Sequence, residues 1–312
     1  MIAVTFHGAG GPEVMSVDER PDPVPLTSEV LIRATHAGLN PADVVQRAGH
    51  YPAPPGSPAD IPGLEVAGTV IACGDAVTAW RAGDRVFGLV GGGGLSDTVA
   101  VHERHLARVP DDLTDREAAA VPEAFITAHD AVFTRAALTI GETLLVNGAS
   151  GGVGTAAVQL GVVAGARVLA NARSHRDELA QMGAEPCVLS EARGVDVVLE
   201  LVGAANLPGS LEALALRGRI IVVGTGAGAD AEVSLRALMG RRASLMGTVL
   251  RARSMEEKAA AVQAFARSVV PHLAAGRVRP VIDRVFPVAE AAAAFDHLSA
   301  PGKLGKVLLE MT

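Results

Sequence analysis

Asn147-Gly148-Ala149-Ser150-Gly151-Gly152-Val153-Gly154 follows the apolar run Leu144-Leu145-Val146 and leads at once into an Ala-rich window, residues 155–164. The order is strand, glycine turn, helix. Without side chains at Gly151 and Gly152 the backbone can lie close against a diphosphate, and the free N–H groups and partial positive charge of a helix start favour an anion there. Gly154 lets helix and strand pack closely. The spacing Ala149-x-Gly151-x-x-Gly154 is a variant of the dinucleotide-binding fingerprint.

Around this turn the chain alternates apolar runs with Ala-rich helical windows. Residues 143–146, 167–170, 195–199, 219–223 and 244–248 read as buried strands, which predicts a parallel, doubly wound sheet with helices on both faces. An acidic side chain after the second strand would grip the ribose 2′-OH of NAD. The sequence has Asn171-Ala172-Arg173-Ser174-His175-Arg176 instead. Two guanidinium groups, Arg173 and Arg176, and the Ser174 hydroxyl suit the 2′-phosphate of NADPH. Asp177 and Glu178 are expected on the helix that follows.

The first 120 residues are rich in Pro and Gly, with short strand-like runs at 30–34, 65–71 and 97–102. Residues 278–312 return to strand-like pieces around a helix at 288–298 and are expected to rejoin that module. The expected organisation is therefore α/β: a discontinuous, mainly β domain, residues 1–121 plus 268–312, with a nucleotide-binding domain, residues 122–267, inserted in it. Gly91-Gly92-Gly93-Gly94 precedes no helix and reads as a flexible turn.

Composition narrows the function. The 312 residues are 49% hydrophobic and 20% charged, the balance of a packed protein. A formal charge of -7 from 27 basic and 34 acidic side chains offers no grip on a polyanion, so neither nucleic acid nor a membrane surface is an expected partner. The stretch 154–170 is interrupted by Arg167 and reads as a buried helix and strand, not a membrane span. The first eight residues lack a charged start and a long apolar core, and read as a strand, not a signal peptide. Two cysteines, Cys73 and Cys187, cannot build a disulfide framework or a four-cysteine zinc lobe. Each is expected to be a small buried hydrophobe, and a reducing cytoplasm fits. His102-Glu103-Arg104-His105 falls one residue short of helical metal-ligand spacing, so no metal site is expected.

Three segments carry a resemblance: 147–154, Pro62-Gly63-Leu64-Glu65-Val66-Ala67-Gly68, and Gly194-Val195-Asp196-Val197-Val198-Leu199-Glu200. They resemble landmarks of the medium-chain dehydrogenase/reductase superfamily. Leu39-Asn40-Pro41-Ala42-Asp43, the run 46–56 and Val121-Pro122-Glu123-Ala124-Phe125-Ile126-Thr127-Ala128 resemble its zinc-free, ζ-crystallin-like NADPH:quinone oxidoreductase branch, over essentially the whole chain. The resemblance implies a Rossmann sheet inserted in a GroES-like catalytic domain, and hydride transfer from NADPH to a quinone or other α,β-unsaturated carbonyl. Asn40 and Leu64 stand where zinc alcohol dehydrogenases carry a cysteine and a histidine ligand, so carbonyl polarisation falls to hydrogen-bond donors or solvent.

By the same resemblance Tyr51, the only tyrosine, lies beside the nicotinamide as a donor or proton source, and Asn40 faces the cleft. The Thr127 hydroxyl meets the carboxamide. Asn147, Ser150, Gly151, Gly152 and Val153 hold the diphosphate, and Gly224, Thr225, Gly247 and Thr248, at strand ends, flank the nicotinamide and its ribose. Compared with its branch the chain is shortened between Ala184 and Gly194, where relatives have another strand and helix turn. A homodimer joined through the sheet edge at 245–249 is implied. An enoyl-thioester reductase and a non-catalytic NADPH-binding protein remain alternatives.

Overall fold

The computed structural model describes residues 1–311. The chain forms two compact units, Met1–Ile126 with Leu250–Thr312, and Thr127–Val249.

The second unit holds a six-stranded parallel sheet: β1 Thr143–Asn147, β2 Arg167–Asn171, β3 Glu185–Cys187, β4 Val195–Glu200, β5 Leu214–Val222 and β6 Ser244–Gly247. Their spatial order is β3-β2-β1-β4-β5-β6. Strands leave β1 in one direction and β4 in the other. Since parallel crossovers are right-handed, connections on the two halves lie on opposite faces, which is the expected double winding. Leu144, Leu145, Val146, Val197, Val198, Leu199, Ile220 and Ile221 are fully buried, as strands covered on both faces require. The reversal between β1 and β4 puts the glycine turn after β1 at the place where such sheets bind ligands.

Two expectations are corrected here. The shortened stretch after Ala184 is not without structure: it keeps the edge strand β3 and a single 3-10 turn, Leu189–Glu191. Leu189 packs with Cys187 on the core around Leu169 and Val195, so burial outweighs the poor strand propensity of Glu-Pro-Cys. β5 begins at Leu214, five residues before the expected Arg219.

The first unit is mainly antiparallel. Its five-stranded sheet runs Thr98–His102, Glu29–Arg33, Glu65–Cys73, Arg85–Leu89, Leu106–Arg108. Val30, Ile32, Val66, Val70, Val86, Val99, Val101 and Leu106 form its core. A second sheet joins Ile282–Pro287, Lys306–Glu310 and His36–Leu39, with helix Ala291–Ser299 burying Ala294, Phe295 and Leu298 against it. The C-terminal stretch thus rejoins the N-terminal module.

The helix Met255–Ser268, placed by the sequence in the inserted domain, belongs to this first unit. A capping box between Ser254 and Glu257 starts it, and its apolar stripe buries Phe265 with its ring centroid 5.6 Å from that of Phe87. Gly91-Gly92-Gly93-Gly94 is no flexible turn either. All four are buried, and a methyl group at Gly91 or Gly94 would lie 2.3 Å from Ser57 Oγ or 2.4 Å from the Glu65 carbonyl. The glycines exist for close packing under the Pro-rich loop. Cys73 is also corrected: it is exposed, at the solvent end of its strand with Ile71 on the same face, while Cys187 is half-buried.

Candidate active site

In the second unit, β1 ends in the glycine turn and helix Gly152–Val163 starts at once. The Gly148 and Ala149 N–H groups both donate to the Asn171 carbonyl, at 3.0 and 3.2 Å, which ties the turn to the end of β2. A methyl group on Gly154 would meet the carbonyl oxygens of Gly148 and Ala149 at 2.4 and 2.6 Å, so only glycine lets the helix seat. No side chain caps this helix, whereas Thr114, Ser234 and Ser254 cap three others. Its first N–H groups are left to solvent or a ligand. Around it Ser150, Gly151, Gly152 and Val153 are half-buried, and Ser174 as well, while Arg173 and Arg176 are exposed just past β2. The Arg176 guanidinium donates at 3.3 Å to the Pro186 carbonyl of β3. Asp177 and Glu178 lie on helix Arg176–Gln181, as expected.

The Asn147 side chain is turned into the protein. It is fully buried, donating to Glu200 Oε2 at 2.6 Å and Ser210 Oγ at 2.9 Å and accepting from Asn171 at 2.9 Å. Its partner Glu200, which the sequence singled out only as part of a motif, organises the strand ends: its Oε1 accepts from the N–H groups of Val202 and Gly203 at 2.8 and 2.9 Å. Gly224 passes so near β4 that a methyl group there would lie 2.2 Å from the Leu201 carbonyl. Beyond it Thr225 and Gly247 are exposed. The Thr248 hydroxyl donates to Asp130 at 3.3 Å, in the π-type turn Asp130–Arg135, and Thr127 is buried.

The first unit contains a closed ionic cluster. Lys306 donates to the Leu39 carbonyl at 2.8 Å, Asn40 Oδ1 at 2.6 Å and Glu65 Oε1 at 2.6 Å. Asn40 donates to the same Glu65 oxygen at 2.9 Å, and Glu65 Oε2 accepts from the Glu123 N–H at 2.8 Å. Asn40 is therefore buried and its amide is committed to neighbours, a correction of its expected cleft-facing role. It also starts helix Pro41–Arg47, whose Asp43 carboxylate accepts from the Asn40 and Gly63 N–H groups at 2.8 and 3.0 Å. Burial pushes Asp43 up to about 6, against those two bonds and the Lys306 charge.

Tyr51 is half-buried. The Arg251 guanidinium lies 4.9 Å from its ring centroid and donates to the Tyr51 carbonyl at 2.7 Å, the Gly91 carbonyl at 2.8 Å and Gln46 Oε1 at 2.6 Å. Burial, then the Glu123 charge, push the phenol up, with Arg251 opposing them. It stays protonated near neutrality: a hydrogen-bond donor but a poor acid. Beside it Leu64, Leu89, Val90, Glu123, Leu250, Arg251 and Lys258 line a narrow pocket. Sequence reasoning passed over Lys258, Arg251 and Lys306. A signal existed for the first, since Lys258, Val262 and Phe265 fall at i, i+4, i+7, with a cation on an apolar stripe.

Residues 165–309 match the family described as zinc-binding dehydrogenase, and residues 27–111 the alcohol dehydrogenase GroES-like domain. Mouse quinone oxidoreductase is 34% identical over 330 residues, covering 99% of this chain and 97% of its own, and the human protein is 31% identical with the same coverage. An alcohol dehydrogenase superfamily protein from Novosphingobium aromaticivorans superposes with a TM-score of 0.89 at 32% identity over 100% of both chains. Pseudomonas syringae quinone oxidoreductase does so at 0.87 with 27% identity over 99% of each. Matched in sequence and in fold along its whole length, the chain belongs to the medium-chain dehydrogenase/reductase superfamily, in its quinone oxidoreductase branch.

Proposed function

We propose that this oxidoreductase passes hydride from NADPH to a quinone or another α,β-unsaturated carbonyl compound, with no metal in the reaction. The observation that carries the reading is the uncapped helix start behind a side-chain-free turn, with Arg173 and Arg176 exposed beside it. When bound, the reduced nicotinamide supplies the hydride. The first N–H groups of helix Gly152–Val163 and the Ser150 hydroxyl would hold the diphosphate, and Arg173, Ser174 and Arg176 would hold the 2′-phosphate. Thr127, Gly224, Thr225, Gly247 and Thr248 would border the nicotinamide end, and the protonated Tyr51 phenol is a donor for the substrate.

Metal independence rests on the donor set. Asn40 and Leu64 occupy the two positions where zinc relatives have ligands, and no group of three or more His, Cys, Asp or Glu among the described residues could hold an ion. Asn40 is moreover bonded to Lys306, whose ammonium already fills its neighbourhood with positive charge. A homodimer is supported by the edge strand β6 and the exposed Leu235, Met239, Leu245 and Val249 on or near it. Among the described residues no helix is long and apolar enough to cross a membrane.

Steady-state oxidation of NADPH with 1,4-benzoquinone, with a simple enone and with an acyl-thioester tests the assignment. Turnover of either of the first two is expected, tighter binding of NADPH than NADH by calorimetry, and no zinc in active protein. Absence of turnover with both would overturn it, and activity confined to the thioester would favour an enoyl-thioester reductase.

A further inference from the structure

Glu200 ends β4 and is 1% exposed, and every hydrogen bond its side chain accepts comes from a neutral donor. Oε2 accepts from Asn147 Nδ2 at 2.6 Å and from Ser210 Oγ at 3.4 Å. Oε1 accepts from the Val202 and Gly203 N–H groups at 2.8 and 2.9 Å, and from Asn206 Nδ2 at 3.4 Å. Five donors converge on a group that, as a carboxylate, can only accept.

These contacts run in two directions. Toward β1, Asn147 turns its amide N–H to Glu200, which leaves its Oδ1 for Asn171 Nδ2 at 2.9 Å. The Asn171 carbonyl in turn holds the Gly148 and Ala149 N–H groups of the glycine turn. Toward β5, the loop after β4 grips the loop that carries Thr225. The Ala227 N–H donates to the Val202 carbonyl at 2.7 Å and the Ala204 N–H to the Gly228 carbonyl at 2.9 Å. Gly203, at φ 117°, passes so close that a Cβ there would lie 2.8 Å from Thr225 Cα. The Glu200 carbonyl also accepts from the Val223 and Gly224 N–H groups, at 2.9 and 3.2 Å.

We propose that Glu200 is a positioning residue for the coenzyme: its carboxylate fixes the diphosphate turn through Asn147 and the Thr225 loop through Val202 and Gly203 before the ligand arrives. The inference rests on the coenzyme reading above. What separates this role from packing is polarity. Packing needs only the volume of the side chain, whereas positioning needs both oxygens as acceptors. A carboxamide of the same shape keeps one oxygen for Val202 and Gly203 but turns an N–H against the Asn147 N–H. Turning the Asn147 amide over only moves that clash to Asn171. A turn that holds its arrangement part of the time binds with its affinity reduced by that fraction.

Glu200→Gln in the full-length protein tests this. By calorimetry NADPH should bind about tenfold more weakly, while adenosine 2′-phosphate, which carries no diphosphate, should bind as it does to wild type. Adding Asn147→Asp sets an acceptor against the new N–H and still accepts from Asn171. The double variant should return NADPH affinity to within about threefold of wild type. An unchanged NADPH affinity in Glu200→Gln, equal weakening of both ligands, or no recovery in the double variant overturns the proposal. Amide hydrogen exchange gives a reading without coenzyme. In Glu200→Gln, Gly148 and Ala149 should exchange about tenfold faster, whereas Val202 and Gly203, which keep their acceptor, should exchange at the wild-type rate. Unchanged exchange at all four, or equal acceleration at all four, rejects the positioning role, even if NADPH fails to bind the wild type and the hydride-transfer reading falls.

Discussion

Two buried lysines of the first unit, 5% and 7% exposed, stand in opposite conditions. Lys306 donates all three of its protons to carbonyl, amide and carboxylate oxygens, and each oxygen of its counter-ion Glu65 is also filled. Lys258 donates none among the described residues. The first arrangement is architecture, since no ammonium proton is left for a ligand. The second is a half-desolvated charge on an apolar helix face, held by no hydrogen bond among the described residues, and burial lowers its pKa.

Removing each ammonium should separate the two roles. Lys306→Met leaves the Glu65 carboxylate buried without its counter-charge and should lose about 3–5 kcal/mol in urea unfolding, the usual result of breaking one side of a buried pair. Lys258→Met removes an unpaired charge from apolar surroundings and should be neutral or stabilising. Equal losses would erase the contrast. Adding Glu65→Gln to Lys306→Met sharpens it: with neither charge present, the double variant should recover about half of the single variant's loss, because the two sites share partners and are not additive.

Asp43 tests the same cluster through pH. Its native pKa lies at about 6, above the ordinary 3.8, so the folded state holds this proton more firmly than the unfolded chain. The resulting stabilisation is complete below about pH 3.8 and is lost as pH rises through about 6. The difference is on the order of 3 kcal/mol. Asp43→Asn has no such titration. The stability gap between wild type and variant, read from urea midpoints, should therefore narrow between pH 4.5 and pH 7.5. A gap that widens would mean that the Asn40 and Gly63 N–H bonds keep the carboxylate ionised.

What could be read in advance follows from how local each feature is. The glycine turn was legible because a single run of eight residues contains both the steric need, at Gly154, and the helix start. Five of the six parallel strands were legible as apolar runs of the right length, and the edge strand Glu185–Cys187 was not. The cluster around Lys306 was not legible, because its ammonium meets Glu65 and Asn40 across 241 and 266 residues of sequence, and nothing short-range announces that pairing. Asn40 was consequently read as facing a ligand, and Asn147 likewise, when both spend their amides on buried carboxylates. Glycines 91–94 were misread for the same reason: what makes them necessary is a proline-rich segment more than thirty residues earlier. Tyr51 was singled out only by resemblance, because Arg251, whose guanidinium covers its ring, comes 200 residues later.

The comparison extends to charges outside the core. Arg104 and Glu256 form a two-pronged pair, at 2.6 and 2.8 Å, between the turn Glu103–His105 and the start of the helix that carries Lys258. The geometry is as good as that around Lys306, but both side chains are about half exposed. Water already solvates each charge, so joining them gains little and immobilises two long side chains. Arg104→Ala should leave the urea midpoint where it is, and 1 M salt should remove whatever small difference low salt reveals. Its turnover should match the wild type as well, since the helix is anchored by Phe265 against Phe87 and capped by Ser254. A clear loss of turnover at unchanged stability would mean that this outer pair, and not only the Phe265 packing, sets the position of the helix.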